Sequence, residues 1–309
     1  MVSRRMATLD IGSNSVTALI AEELEEGKAK ILAELGEVTA LGRGLGERGL
    51  DPKARARTLE VLRAFRRAFD RYEVDEVRAV ATAAMRDACD GPAFAREIQE
   101  EVGFPVDIIS GEREGALSFL AVARGFGLAG LLGVLDVGGR STEIMVGEAD
   151  GDLERVSHNL GCVSGTERYL HSDPVTDEEL DALRDAVRAL LASHPIDLKG
   201  APLFGVAATV IAHAVLSQGL ERFERRRVRG VVLTRDEIAR WVRRMAAMPC
   251  RERRTYPGMD PRRADILPAG GVVVHTIMCE LDVGSLIVSD YGLRHGVLFD
   301  AWPGLRALV

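Results

Sequence analysis

Thr8-Leu9-Asp10-Ile11-Gly12-Ser13-Asn14-Ser15-Val16 and, further along, Val134-Leu135-Asp136-Val137-Gly138-Gly139-Arg140-Ser141-Thr142 are two versions of one motif. Each is an apolar strand ending in Asp, then x-Gly-x-x-Ser, then a second apolar strand, which reads as a β-hairpin closed by small residues. Small residues let backbone N–H groups gather around an oxyanion. Two such turns, each preceded by a carboxylate able to hold a divalent metal, point to phosphoryl chemistry. A pair of ordinary Gly-marked hairpins is the plain alternative. The spacing of the copies gives each its own domain-sized half.

A chain of 309 residues accommodates two domains with separate cores. With 47% hydrophobic and 28% charged residues it has the composition of a soluble globular protein. A net charge of −7 offers no bulk attraction to nucleic acid or an anionic membrane, and neither partner is expected. Any polyanion must be drawn by a local patch. Arg222, Arg225, Arg226, Arg227 and Arg229 form one arginine cluster, and Arg251, Arg253, Arg254, Arg262 and Arg263 another, although a charge run is most often a solvated face. Cys89, Cys162, Cys250 and Cys279 lack paired spacing and read as reduced thiols of a cytoplasmic protein. No secretory leader or membrane span is expected.

Strand signals at Met6–Ile11 and Val16–Ala21 flank the first turn, and 30–41 continues in extended style. Asp51-Pro52 starts a helix whose apolar face carries Leu59, Leu62, Phe65 and Phe69. Short strands at 77–81 and 106–109 follow, with a turn from Thr82 to Arg86, and Ser110 caps a helix running to about Arg124. Thr176…Glu179 and Thr234…Glu237 fit the capping-box signature and place helices near 177–193 and 235–247. Leu203–Ala207 and Leu286–Ser289 read as buried strands. Apolar residues all round 269–281 predict a core helix between domains. A final helix is expected from about Arg294. Alternating strands and helices predict an α/β architecture.

These residues resemble the exopolyphosphatase and guanosine pentaphosphate phosphatase (Ppx/GppA) family of the actin-like superfamily, which also holds sugar kinases and heat-shock chaperone ATPases. The resemblance is carried by Asp10 to Ser15, Leu41-Gly42-Arg43-Gly44, Ala81-Thr82 to Arg86, Ile109-Ser110-Gly111-Glu112-Arg113-Glu114, Asp136 to Glu143, Gly161-Cys162-Val163, Pro257-Gly258 to Arg263-Ala264-Asp265, and Gly292-Leu293-Arg294 to Gly296. It implies two ribonuclease-H-like domains with an interdomain cleft: residues 1–125 and 126–296, with a C-terminal helix at about 297–309 packing back onto the first.

The same resemblance implies a hydrolase that releases terminal orthophosphate from inorganic polyphosphate or guanosine pentaphosphate, with guanosine tetraphosphate as a further ligand. Glu114 matches the family's catalytic glutamate and would act as general base; an acid in the first turn of a helix suits that role. Asp136, Asp10 and Glu143 are the expected ligands of Mg²⁺ or another divalent cation. Gly12, Ser13, Asn14, Ser15, Gly138, Gly139, Arg140 and Ser141 would cradle phosphate, and Arg86 would neutralise it. A homodimer is the family expectation.

Three departures bear on this reading. Arg140 stands where the family has a third glycine, Gly205-Val206-Ala207-Ala208-Thr209 replaces Gly-x-Gly-Gly-Thr, and Gly115-Ala116 replaces Ala-Arg. A left-handed backbone at Arg140, Ala207 or Ala208 would cost roughly 1–2 kcal/mol each. Arg140 could instead add a cation to the phosphate site, and a non-hydrolytic polyphosphate or alarmone sensor is the alternative function. The two alanines crowd the place where superfamily kinases approach adenosine, which disfavours a kinase.

Overall fold

The computed structural model describes residues 4–149 and 151–309. The chain forms two compact units, one from residues up to Ala129 together with Tyr291–Val309, the other Gly130–Asp290. Unit 1 opens with β1 (Arg5–Ile11), β2 (Ser15–Glu23) and β3 (Lys28–Val38), then α1 (Pro52–Arg71), β4 (Glu76–Ala81), α2 (Ala83–Asp87), α3 (Gly91–Val102), β5 (Val106–Ile108) and α4 (Gly111–Phe126). Unit 2 contains β6 (Leu131–Val137), β7 (Thr142–Glu148), β8 (Leu153–His158), α5 (Cys162–Tyr169), α6 (Asp177–Ser193), β9 (Leu203–Val206), α7 (Ala207–Ser217), α8 (Arg225–Val228), β10 (Val232–Thr234), α9 (Arg235–Ala246), α10 (Cys250–Arg253), α11 (Leu267–Glu280) and β11 (Ser285–Val288). The chain then returns to unit 1 as α12 (Leu293–Ala301) and β12 (Ala307–Leu308).

The helices start where their capping residues dictate. Asp51 accepts from the N–H of Lys53 and Ala54 with Pro52 in the first turn, Ser110 Oγ accepts from Arg113 N–H at 3.2 Å, and Thr176–Glu179 and Thr234–Glu237 close reciprocal boxes.

The two sheets repeat one plan. In unit 1 the order is β12-β3-β2-β1-β4-β5, and in unit 2 it is β10-β11-β9-β6-β7-β8. In each, an antiparallel meander (β1–β3, β6–β8) is followed by strands parallel to its first member (β4 and β5, β9 and β11). Register brings the carboxyl ends of the parallel strands level. Ile11, Ala81 and Ile108 form one row in unit 1, and Leu135, Gly205 and Val288 form one in unit 2. Catalytic and ligand-binding residues of open α/β sheets gather along that edge.

Side-chain alternation on β1 sends Ala7, Leu9 and Ile11 into a core with Leu62, Phe65, Phe69 and Phe94, while Met6 packs with Leu298, Phe299 and Trp302 of the returning segment. In unit 2, Leu135, Val137 and Ile144 pack with Leu183, Val210, Val273 and Ile277.

Four expectations change. The helix expected between domains, α11, lies inside unit 2 against α5, α6, α7 and α9, because a helix apolar on every side needs partners on every side. The stretch expected to turn from Thr82 to Arg86 is mostly the short helix α2, Ala83–Asp87, with Thr82 at its N-cap. The strand expected to reach Ala207 stops at Val206, and Ala207 begins α7. The final helix starts at Leu293, close to the expected Arg294, but does not run on to 309: it ends at Ala301 before Pro303-Gly304, and the last residues add β12 beside β3.

Candidate active site

The two motif copies fold as equivalent turns. Gly12 N–H donates to Ser15 O at 3.0 Å, and Gly138 N–H donates to Ser141 O at 3.0 Å. The carbonyls of each turn are drawn outward by the segment packed behind it. In unit 1, Thr39 and Ala40 donate to Asn14 O and Gly42 to Ser13 O; in unit 2, Cys162 donates to Gly138 O, and Val163 and Ser164 donate to Gly139 O. These hydrogen bonds brace each turn against the segment packed behind it. Behind the second turn stands Gly161, where a β-carbon would come within 2.5 Å of Gly138 O and 2.7 Å of Gly139 C.

Asn14 is buried, and its Oδ1 has no hydrogen-bond partner among the described residues. Arg140 has ordinary backbone, only 8% of its surface is exposed, and its Nη1 donates to Glu167 Oε2 at 2.9 Å. Glu167 thus shares its charge. Of the positions questioned from sequence, only Ala207 is left-handed, with φ 66°, at the first residue of α7.

On the edge of unit 1, Glu114 occupies the first turn of α4 and is 8% exposed. Arg86 on α2 donates through Nη1 to Glu114 Oε2 at 3.1 Å and to Ile109 O at 3.0 Å. One arginine thereby ties the end of β5 to the carboxylate and fixes its orientation.

The three expected metal carboxylates divide between the units. Asp10 lies opposite Thr17 on β2, whereas Asp136 lies opposite Glu143 on β7, and Ser157 on β8 donates to Glu143 Oε1 at 2.8 Å. Directly opposed residues share a face with β-carbons about 5 Å apart. Asp136 and Glu143 are 8% and 1% exposed, so two carboxylates sit side by side largely out of water. An all-oxygen pair in that setting suits a hard dication. No group of three His, Cys, Asp or Glu side chains able to hold a metal occurs among the described residues.

One part of this edge is not visible in the motif. Asp290, just beyond β11, is buried and accepts from Arg229 through Nε and Nη2 and from Arg225 through Nε. Burial works against its ionisation, yet the hydrogen bonds and charges of Arg229 and Arg225 prevail and hold its carboxyl below the usual range. The arginine clusters are sorted by the fold. Arg253 is buried and donates to Ala264 O, Met245 O and Met248 O, and Arg262 pairs with Asp260.

No helix among the described residues is long and apolar enough to cross a membrane. The curated protein "Exopolyphosphatase 2" of Mycobacterium tuberculosis is 30% identical over 314 aligned positions, covering 96% of this chain and 98% of that protein. The crystal structure of the Aquifex aeolicus member of the Ppx/GppA family is 32% identical, covers 97% of each chain and superposes with a TM-score of 0.82. An exopolyphosphatase structure from Cytophaga hutchinsonii, 23% identical over 98% of this chain and 99% of its own, shares the fold at a TM-score of 0.87. The architecture is that of two ribonuclease-H-like domains of the actin-like type. The family model of the Ppx/GppA phosphatases matches residues 19–304, and with these relatives it establishes that the chain belongs to the Ppx/GppA phosphatase family, a family of hydrolases.

Proposed function

We propose that this enzyme removes the terminal orthophosphate from inorganic polyphosphate. The observation that carries the reading is the pair of matching turns, each closed by a Gly N–H donating to a Ser carbonyl at 3.0 Å and each following a strand that bears an aspartate near its end. Turns of this kind bind phosphate oxygens without regard to what lies beyond the anhydride, and the name of the Mycobacterium tuberculosis relative supplies the substrate class.

Phosphoryl transfer demands positioning and charge neutralisation more than covalent help. Glu114, oriented by Arg86, accepts a proton from the attacking water as its oxygen bonds to the terminal phosphorus and the bridging P–O bond breaks. The shortened chain departs with the bridging oxygen. Asp136 and Glu143 would hold Mg²⁺, which, when bound, neutralises charge on the phosphate oxygens. Gly12–Ser15 and Gly138–Ser141 supply amide and hydroxyl donors.

The test is orthophosphate release from long-chain polyphosphate with Mg²⁺, beside Glu114→Gln, with guanosine pentaphosphate in the same panel at matched ionic strength. Release from polyphosphate that Glu114→Gln abolishes supports the assignment. Release from the pentaphosphate alone assigns the nucleotide as substrate. Tight polyphosphate binding without turnover in either protein refutes hydrolysis of this substrate.

A further inference from the structure

The register of unit 2 places α8 beside the second phosphate turn. Val288 is level with Gly205 and Leu135, and β11, β9 and β6 run parallel, so Asp290 and Gly138 both follow strand ends on the same edge of the sheet. β9 alone lies between β11 and β6, which puts the ends of those two strands about 10 Å apart. Arg225 and Arg229, one helical turn apart, both close on Asp290, and Val228 between them is buried in the core. This short helix is therefore pinned at the catalytic edge of the sheet by a charge clamp and an apolar anchor.

The clamp uses two of the segment's five arginines. Arg222, Arg226 and Arg227 are exposed, and none forms an ion pair among the described residues. Phe223 beside them is 44% exposed. Glu221 and Glu224 are interleaved, yet five arginines outnumber three carboxylates even with Asp290 counted, in a chain whose net charge is −7. Guanidinium forks match phosphate oxygens, and a row of them suits a linear polyanion better than a single phosphate.

We propose that Arg222, Arg226 and Arg227 form a second phosphate-binding site that engages the internal phosphates of a polyphosphate chain whose terminal phosphate is held at the second turn, Gly138–Ser141. This rests on polyphosphate being the substrate. The arginines then confer a preference for long chains, because a short oligomer held at that turn ends before it reaches α8. Asp290 is the positioning residue that keeps the row in place.

The experiment compares wild type with the triple variant R222A/R226A/R227A on long-chain polyphosphate and on tripolyphosphate. For the long chain, KM rises at least tenfold, kcat is unchanged, and the slope of log KM against log salt flattens, since fewer charge contacts are made. The KM for tripolyphosphate moves less than twofold. An unchanged long-chain KM, or equal rises on both substrates, overturns the site. A binding arm keeps the result independent of hydrolysis: long-chain polyphosphate titrated calorimetrically into Glu114→Gln, with and without the triple substitution, loses at least tenfold in affinity. If wild type cleaves neither chain, the proposed function falls while this arm still decides the patch. A single-stranded oligonucleotide bound as tightly, with the same loss, makes it a general nucleic-acid surface and overturns the assignment. Asp290→Asn reproduces the long-chain defect in part.

Discussion

Asp136 on β6 and Glu143 on β7 face each other across one rung of the antiparallel pair, two largely desolvated carboxylates where the equivalent rung of unit 1 holds Asp10 and Thr17. Two like charges at that spacing would repel, and a bound cation would offset the repulsion. Glu143→Gln is expected to raise the Mg²⁺ concentration for half-maximal activity at least tenfold, while its melting temperature in EDTA equals or exceeds that of wild type. Thermal melts with and without Mg²⁺ check both halves. A variant that melts lower in EDTA and keeps its Mg²⁺ requirement would sink the metal assignment.

Arg86 holds Glu114 at 3.1 Å from the end of α2. Glu114→Gln should lower kcat by about 10²–10⁴-fold, the usual worth of a positioned general base, and leave KM nearly unchanged. Arg86→Ala should cost less in kcat. Steady-state kinetics with a circular-dichroism check of folding distinguishes these effects from unfolding.

Gly161 packs against the backbone of the second turn. Gly161→Ala places a methyl group 2.5 Å from Gly138 O, so turn and α5 must separate. Substrate KM is expected to rise at least tenfold, with destabilisation of about 1–3 kcal/mol by urea titration. Wild-type kinetics in this variant would show that the turn does not bind substrate.

Ala207 and Ala208 are chemically identical neighbours with opposite backbone preferences. Ala207 is left-handed at φ 66° and Ala208 is not. Ala207→Gly should therefore stabilise by about 0.5–1 kcal/mol, the steric relief being partly offset by the entropy of glycine. Ala208→Gly, inside α7, should destabilise by a similar amount. Urea midpoints of the two variants are expected to move in opposite directions.

His213 is 1% exposed in the core of unit 2, neither ring nitrogen has a hydrogen-bond partner among the described residues, and burial pushes its pKa down to about 4. In the unfolded chain it titrates near 6.5. Between those values the unfolded state binds a proton that the folded state refuses, so stability falls as pH drops from about 6.5 to 4. From pH 7.5 to pH 5 the loss is about 2 kcal/mol. His213→Leu should remove that share of the acid sensitivity, as read from urea midpoints at the two pH values.

Much of this molecule was legible in the chain itself. The alternation of β1, the caps at Asp51, Ser110, Thr176 and Thr234, and the repeated Asp-x-Gly-x-x-Ser motif are local, set by steric and hydrogen-bonding preferences acting within a few residues. The place of Glu114 in the first turn of a capped helix was legible for the same reason, whereas its expected role came from the family resemblance. What the residues could not supply was pairing at long range. Asp136 meets Glu143 through strand register, Arg86 meets Glu114 because β4 lies beside β5, and Asp290 captures Arg225 and Arg229 from a segment 61 to 65 residues away. Nor does composition decide which arginine is structural, as the burial of Arg253 and the exposure of Arg226 show. Those outcomes belong to the tertiary structure because burial and charge pairing depend on which strands and helices become neighbours, a global property that no local window contains.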